Sequence, residues 1–297
     1  MGRSIAILIA ILIGICVPAA ERFTFIIRYN LMVMLFFAFL EVRLSLKLLH
    51  RDHLRIAGVN LVLPPLLYYL LSPFAPEAAL AVFVIASAPT AAAAPVMASF
   101  LQSEVGFVTT AVLLTSPLVA VLLPITTSAV LGSAATFSFW DIALPVFSLL
   151  FIPLTLALLL RWSAGRVARK LRAFSHWSFR LFLVNVVIAA AAAAGYFQSQ
   201  PADRWLSIAG VGLAIGLLCI AQFKAGEWLG KAHLPLETGL ALGRKNTMFS
   251  LWFALAFFNP SAALGPIFYI LAQNIYNSWQ LYHRTEPVSP PPAQSPD

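Results

Sequence analysis

Charged side chains and cysteines are both scarce in this sequence. Only 10% of its 297 residues are charged, against roughly 25% in soluble domains, while 61% are hydrophobic and the mean hydropathy is +0.88. The low charge excludes an ordinary soluble domain and predicts an all-α, polytopic membrane protein. The only two cysteines, Cys16 and Cys219, lie in separate apolar runs. This placement excludes a disulfide framework and a cysteine-based metal site.

Apolar segments follow one another along the chain with no polar block between them, which predicts a single membrane domain over residues 1–284. We place ten transmembrane spans at 4–20, 30–48, 55–72, 76–102, 104–131, 139–160, 177–197, 205–223, 235–258 and 261–282. Residues 285–297 are rich in proline and carry no hydrophobic run, so we expect a disordered cytoplasmic tail. The first span also resembles a cleavable signal peptide, with Arg3 before a short apolar run and Pro18 after it. Both interpretations of that span are open at this point.

The net charge of +8 comes mostly from basic residues in the loops. With ten spans, all but five of the 19 Lys and Arg residues fall on one side of the membrane. Arg22, Arg28 and Arg204 fall on the other side, and Arg244 and Lys245 lie inside a span. The positive-inside rule makes the richer side cytoplasmic, so both termini are predicted to be cytoplasmic in a cell (inner) membrane. The basic excess is therefore a topology signal, and no nucleic-acid partner is expected.

Two spans are interrupted at corresponding positions. The fourth contains Pro89 and Pro95, and the ninth contains Gly243-Arg244-Lys245-Asn246-Thr247. A basic cluster at 161–180 separates two halves of five spans each, and an odd number makes the second half inverted relative to the first. This pattern predicts two inverted five-helix repeats whose broken helices 4 and 9 cross at a mid-membrane site. Simple proline kinks are the alternative explanation for the first break.

The order of these features resembles the bile acid:sodium symporter superfamily, and most closely its SBF-like bacterial branch. The resemblance is carried by residues 31–40, 60–69, 89–97, 104–106 and 243–247. It implies a core domain, made of spans 3–5 and 8–10, in which the two broken helices cross. Spans 1, 2, 6 and 7 would form a panel domain beside it.

The resemblance also implies two sodium sites, from which this sequence departs. The positions that correspond to the oxygen-bearing ligands of the first site are Ala94, Pro95, Val108, Val112 and Ala241. At the second site, Asn60 and Lys245 stand at two Gln positions and Ala241 at a Glu position. Hard cations need oxygen ligands, and replacing an acid while adding a lysine makes the local charge more positive by two. We therefore expect no sodium dependence and no bound metal or other cofactor.

Two cations inside an apolar span require an explanation, since each costs at least roughly 2.5–3.5 kcal/mol near mid-membrane. In one interpretation Lys245 replaces a sodium ion and holds the crossover through Asn60 and backbone carbonyls. It could then also couple transport to H⁺ by losing its proton once per cycle, which Arg244 cannot do. In a second, one or both cations bind an anionic substrate with the help of half-helix dipoles. In a third, residues 235–258 do not cross the membrane and the pair lies among headgroups.

The sequence thus predicts a secondary active transporter of a small organic anion that works by alternating access without sodium. Its expected partners are that anion, the lipid bilayer and, if transport is proton-coupled, H⁺. The predicted substrate-binding residues are Thr90, Arg244, Asn246, Thr247, Gln273 and Asn274, and the predicted coupling residues are Lys245 and Asn60. A sodium- or proton-coupled bile-acid-type symporter and a channel or sensor without turnover are the alternatives. No paired carboxylates or metalloprotease motif lies at membrane depth, so we expect neither an enzyme nor a catalytic residue.

Overall fold

The described part of the chain consists mainly of α-helices. The computed structural model describes residues 2–41, 49–131, 138–199, 201, 204–231, 233–258 and 260–284, and within these ranges it contains no β-strand. The all-α prediction is therefore confirmed. The predicted tail at 285–297 and the last seven residues of the predicted second span lie outside the described residues.

The described ranges contain thirteen α-helices, and short 3₁₀ helices lie at two of the connections. The first half of the chain forms α1 (Gly2–Cys16), α2 (Ile26–Glu41), α3 (Arg51–Leu71), α4 (Pro76–Ala86), α5 (Ala94–Phe100), α6 (Val105–Leu131) and α7 (Phe139–Ser163). The second half forms α8 (Gly165–Arg172), α9 (Trp177–Gln198), α10 (Trp205–Gly230), α11 (Pro235–Gly243), α12 (Thr247–Phe257) and α13 (Leu264–Arg284). The 3₁₀ helices are Pro18–Phe23 and Pro260–Ala263.

Five of these helices are long and apolar enough to cross a membrane. They span Arg51–Leu71, Val105–Val130, Phe139–Ser163, Trp177–Tyr196 and Trp205–Gly230. Shorter apolar helices occur at Ile5–Cys16, Pro76–Ala86 and Thr247–Phe257. Several of the long helices contain internal prolines, which membrane helices tolerate because neighbouring groups satisfy the freed carbonyls. These helices are those of a polytopic membrane protein.

The predicted segments match the observed helices except at several ends and in one connection. α3 begins at Arg51, four residues before the predicted start, and α10 ends at Gly230, seven residues after the predicted end. The second helix begins at Ile26, four residues before the predicted start, and so it includes Arg28. The Arg28 guanidinium is accommodated there because its Nη2 donates a hydrogen bond to Ser148 Oγ of α7 at 2.6 Å. The basic stretch at 161–180, predicted as a connection, contains the additional helix α8.

Both predicted interruptions are present, and each has a local cause. α4 ends at Ala86, three residues before Pro89, and α5 begins with Pro95 in its first turn. α11 begins at Pro235, a favourable first residue of a helix, and ends at Gly243. Asn246 then caps α12, because its Oδ1 accepts a hydrogen bond from the Phe249 backbone N–H at 3.1 Å.

The helices pack as two sets of neighbours, which meet where α6 packs against α7. In one set, α2 packs against α7 and α9, and α1 packs against α9. In the other set, α3 packs against α4 and α6, α10 packs against α11 and α13, and α4 packs against α10 and α13. Glycine allows the closest approach in the second set, since a Cβ added to Gly226 of α10 would lie 2.7 Å from Gly239 Cα of α11. Both interrupted segments belong to this second set.

Candidate functional site

The two interruptions meet and form hydrogen bonds to each other. We call this region, residues 87–93 and 244–246, the crossing. The Ala91 backbone N–H donates to Arg244 O at 2.8 Å, and the Asn246 N–H donates to Pro89 O at 2.9 Å. Between them Thr90 and Lys245 form an isolated antiparallel β-bridge. These bonds satisfy backbone groups that an unwound segment would otherwise leave unpaired in a membrane.

Side chains from three other helices hold the crossing in place. Thr90, which is fully buried, donates from Oγ1 to Ala241 O at 2.6 Å, and its backbone N–H donates to Thr115 Oγ1 of α6 at 3.1 Å. The Tyr269 hydroxyl of α13 lies 2.6 Å from Gly243 O and 2.7 Å from Gln222 Oε1 of α10. The crossing is therefore tied to α6, α10 and α13 by buried polar contacts.

Lys245 is the most completely satisfied polar side chain at the crossing. Its side chain is buried, and Nζ donates hydrogen bonds to Asn60 Oδ1 of α3, to Ala86 O at 3.1 Å and to Ala88 O at 3.2 Å. An ammonium group has three N–H donors, so these three oxygens match its full capacity. Ala86 is the last residue of α4, where carbonyls lack helical partners and where the helix dipole favours a cation.

The Arg244 side chain differs from that of Lys245 in its hydrogen bonding. Its backbone belongs to the crossing, but Nε and Nη1 of its guanidinium are shielded from solvent and have no hydrogen-bond partner in the described part of the chain. Among the described residues the salt bridges join His50 and Arg55 to Asp52, Arg204 to Glu77, and Lys224 to Glu227. Arg244 takes part in none of them. The crossing thus carries a fixed positive charge with unused donors, which is the chemistry of an anion-binding group.

Five of the eight predicted site residues are joined directly by hydrogen bonds at the crossing or by the β-bridge. They are Asn60, Thr90, Arg244, Lys245 and Asn246. Thr247 is the first residue of α12, and its N–H donates to Lys245 O at 2.9 Å. The side-chain oxygens Thr90 Oγ1 and Asn246 Oδ1 already form hydrogen bonds that stabilise the fold.

Gln273 and Asn274 of α13 make no hydrogen bond to the crossing. Gln273 is buried, and its Oε1 has no partner among the described residues. The Asn274 Nδ2 donates to Ile270 O within the same helix at 2.7 Å. One turn before Gln273, Tyr269 makes the contact with the crossing from α13.

Sequence reasoning did not identify Tyr269 or Thr115 as parts of this region, and it interpreted Glu237 only as a partner of the dipole at the start of the second broken helix. Glu237 lies in the first turn of α11, is buried, and accepts a hydrogen bond from the Glu104 N–H at 2.8 Å through Oε1. Its carboxylate therefore caps the start of α6, which directly follows the first broken segment. A lone acid in an otherwise apolar helix was the available signal for this contact.

An all-helical bundle with several membrane-length helices, in which two broken helices meet beside the buried Lys245, is that of an integral membrane protein. Residues 26–200 match the family model described as the Sodium Bile acid symporter family. The match covers more than half of the chain, so the protein belongs to that family. It is a membrane transporter of the bile-acid/sodium symporter type, and the family consists of transporters and not enzymes. No curated protein matched the chain in sequence.

The matched residues end before the second broken segment. They include α2 to α9 and the first half of the crossing, whereas Arg244 and Lys245 lie outside them. Membership of the family implies that the protein transports a solute, but it assigns no role to Arg244 or Lys245. The roles of the two cations depend on their own contacts.

Proposed function

We propose that this protein is a secondary active transporter of a small organic anion that works by alternating access at the crossing and does not depend on sodium. Lys245 takes the structural place of a sodium ion. The observation that carries this proposal is the set of three oxygens around Lys245 Nζ. Oxygen atoms from a side chain amide and from backbone carbonyls are also the ligands that a hard cation such as Na⁺ uses.

The charge at the crossing supports the same conclusion. No carboxylate hydrogen-bonds to Lys245 or forms a salt bridge with it among the described residues. A sodium ion beside the charged form of this lysine would meet a like charge in a region of low dielectric constant, where the repulsion is strong. The Lys245 side chain instead binds α3, α4 and the crossing together.

Arg244 is the proposed anion-binding residue. A half-buried guanidinium whose Nε and Nη1 have no partner among the described residues is unfavourable by itself, and a carboxylate or another small anion would satisfy these free donors. Its shielded Nε and Nη1 supply two such donors. Thr90, Asn246, Thr247, Gln273 and Asn274 complete the proposed substrate-binding set, with the unpartnered Oε1 of Gln273 available to a donor on the substrate.

We further propose the arrangement of the bundle in the membrane. The ten spans form two inverted repeats of five, with α4–α5 and α11–α12 as the crossed broken helices and both termini in the cytoplasm of a cell (inner) membrane. The packing supports a panel of α1, α2, α7 and α9 beside a core of α3–α6 and α10–α13. Asn30 Nδ2 of α2 donates to Asn185 Oδ1 of α9 at 2.8 Å, which ties the panel helices together.

The test of coupling is solute uptake by the purified protein in proteoliposomes, with the substrate first found by a thermal-shift screen of metabolite carboxylates. Equal uptake rates in sodium and in potassium buffers are expected. Counterflow of labelled against unlabelled substrate is also expected, because a carrier exchanges its substrate whereas a channel or sensor does not. An uptake rate that requires sodium would overturn the proposed role of Lys245.

A matched pair of arginine variants tests the anion site. Arg244→Gln is expected to abolish both uptake and the thermal shift by the anion while the protein still folds, since the free guanidinium gives the apo protein little stability. Arg28→Gln is the control, because it removes the same charge from α2, where the guanidinium contacts Ser148 and not the crossing. Equal loss of anion binding in both variants would show that Arg244 has no specific role.

A further inference from the structure

The helix α8 has two chemically different faces. Arg166, Arg169 and Lys170 are spaced i, i+3 and i+4, so they lie on one face, and all three are exposed. On the other face Ala168 is buried and Leu171 packs against the core. This face holds α8 against the ends of α7 and α2. The basic face is therefore turned away from the protein.

The positive charge of α8 has no partner within the described residues. No salt bridge or hydrogen bond involves the side chains of Arg166, Arg169 or Lys170, and the chain contains no Asp or Glu between residues 142 and 202. The Nε atom of Arg172 is also shielded from solvent without a hydrogen-bond partner. Cations this closely spaced repel one another, so a bound anion would stabilise the surface.

Exposed tryptophan side chains on both sides of α8 indicate where this helix lies relative to the bilayer. Trp162 precedes it at the end of α7 and is 87% exposed, and Trp177, the first residue of α9, is 45% exposed. The Arg180 guanidinium lies 4.2 Å from the centre of the Trp177 ring. Tryptophan beside Lys and Arg at the ends of membrane helices is typical of the headgroup region. A soluble partner would not require these rings, whereas a lipid surface accepts both the rings and the charge.

We propose that α8, together with Trp162, Trp177 and Arg180, forms a binding surface for anionic phospholipid headgroups at the end of the bundle that the basic residues place in the cytoplasm. The phosphate groups would lie against the basic face of α8, while the tryptophans enter the interface beside them. Because α8 packs on α2 and α7, the lipid would be attached to that set of helices. The binding itself does not depend on the proposed transport function.

Native mass spectrometry of the detergent-solubilised protein, titrated with phosphatidylglycerol or phosphatidylcholine, tests the proposal. We expect bound phosphatidylglycerol and no comparable binding of phosphatidylcholine. Arg169→Gln combined with Lys170→Gln should weaken phosphatidylglycerol binding by about 30-fold, since each basic residue near a membrane surface contributes roughly fivefold. The matched control is Arg51→Gln combined with Lys231→Gln, which removes two exposed charges elsewhere in the chain and should leave the affinity unchanged.

Three results would overturn the proposal: equal binding of the two lipids, an equal loss in the control, or displacement of the lipid by millimolar inorganic phosphate. The last result would identify a site for a soluble phosphate. Unchanged thermal unfolding of the Arg169→Gln/Lys170→Gln protein in phosphatidylcholine micelles would show that the loss is one of binding and not of folding. If that protein does not fold, Arg166→Gln combined with Arg169→Gln removes the same charge from the same face.

Discussion

Lys245→Met isolates the contribution of the buried ammonium, because methionine keeps most of the side-chain length and removes the donors. In the folded protein the Lys245 Nζ donates hydrogen bonds to Asn60 Oδ1, Ala86 O and Ala88 O. All three acceptors would remain buried without a partner, and each such group costs about 1–3 kcal/mol. Removing the ammonium also removes its own desolvation cost, which offsets part of this loss.

The expected net effect is a decrease of about 3 kcal/mol in the free energy of unfolding, because three buried acceptors lose their donor and the removed desolvation cost offsets only part of that loss. This decrease corresponds to a melting temperature lower by roughly 10 °C for a chain of this size. Lys245→Gln should lower it less, because the amide retains two N–H donors on a shorter chain. Lys245→Arg should rescue only partly, since the planar guanidinium is larger and differs in geometry.

The assay is the fraction of monodisperse protein that remains after heating in a fixed detergent. Lys224→Met is the control, because the Lys224 side chain is 55% exposed and pairs with Glu227 at 2.7 Å. Such an exposed pair contributes no more than about 1 kcal/mol. If Lys245→Met and Lys224→Met both had melting temperatures near that of the unmodified protein, Lys245 would not be the cation that stabilises the crossing.

Three further changes test the surroundings of the crossing. Tyr269→Phe leaves the last carbonyl of α11 without its donor, so we expect a loss of about 1–3 kcal/mol in the same heating assay, and an unchanged melting temperature would contradict the contact. Glu237→Ala should cost about 1 kcal/mol because it uncaps α6, whereas Glu237→Gln keeps an acceptor and should melt near the unmodified protein. Lys245→Gln combined with Ala241→Glu restores the acid and amide that the family resemblance implies at a sodium site. Its melting temperature should rise with added sodium and not with potassium, and neither single variant should respond.

The interruptions were predictable because their causes are local. Pro89 and Pro95 restrict the backbone of the first segment, whereas Gly243 weakens the helix in the second because glycine is conformationally free. Both effects are visible without any knowledge of packing. The membrane class followed equally directly from composition. The meeting of the two segments was inferred from their matching positions in the chain, and the backbone bonds between Thr90 and Lys245 and their neighbours could not be deduced from side-chain identity.

The partners of Lys245 show what sequence reasoning could not supply. Asn60 lies 185 residues away in the chain and was suggested only by the family resemblance. The other two acceptors are backbone carbonyls of alanines, and every residue has a carbonyl, so the sequence carries no signal for them. Tyr269 was missed for a related reason, since a tyrosine in an apolar helix is most simply interpreted as part of the core.

Gln273 and Asn274 illustrate a geometric limit of the prediction. Adjacent helical residues point about 100° apart, so two neighbours rarely face the same site. The structure buries Gln273 and turns the Asn274 amide onto its own helix. The helix α8 was missed because its short basic sequence lacks the apolar run by which the other helices were recognised.

The β-bridge between Thr90 and Lys245 also limits how the protein can move. Two main-chain hydrogen bonds join the broken helices across the bridge, and they lie in a region where water is not available to replace them. Swinging one half-helix independently would break both bonds and strip Lys245 of its acceptors at the same time. In the proposed alternating-access cycle, α4, α5, α11 and α12 are therefore expected to move together as one rigid unit. Spin labels placed within that unit should keep a constant separation throughout the cycle, while their distance to α2 changes.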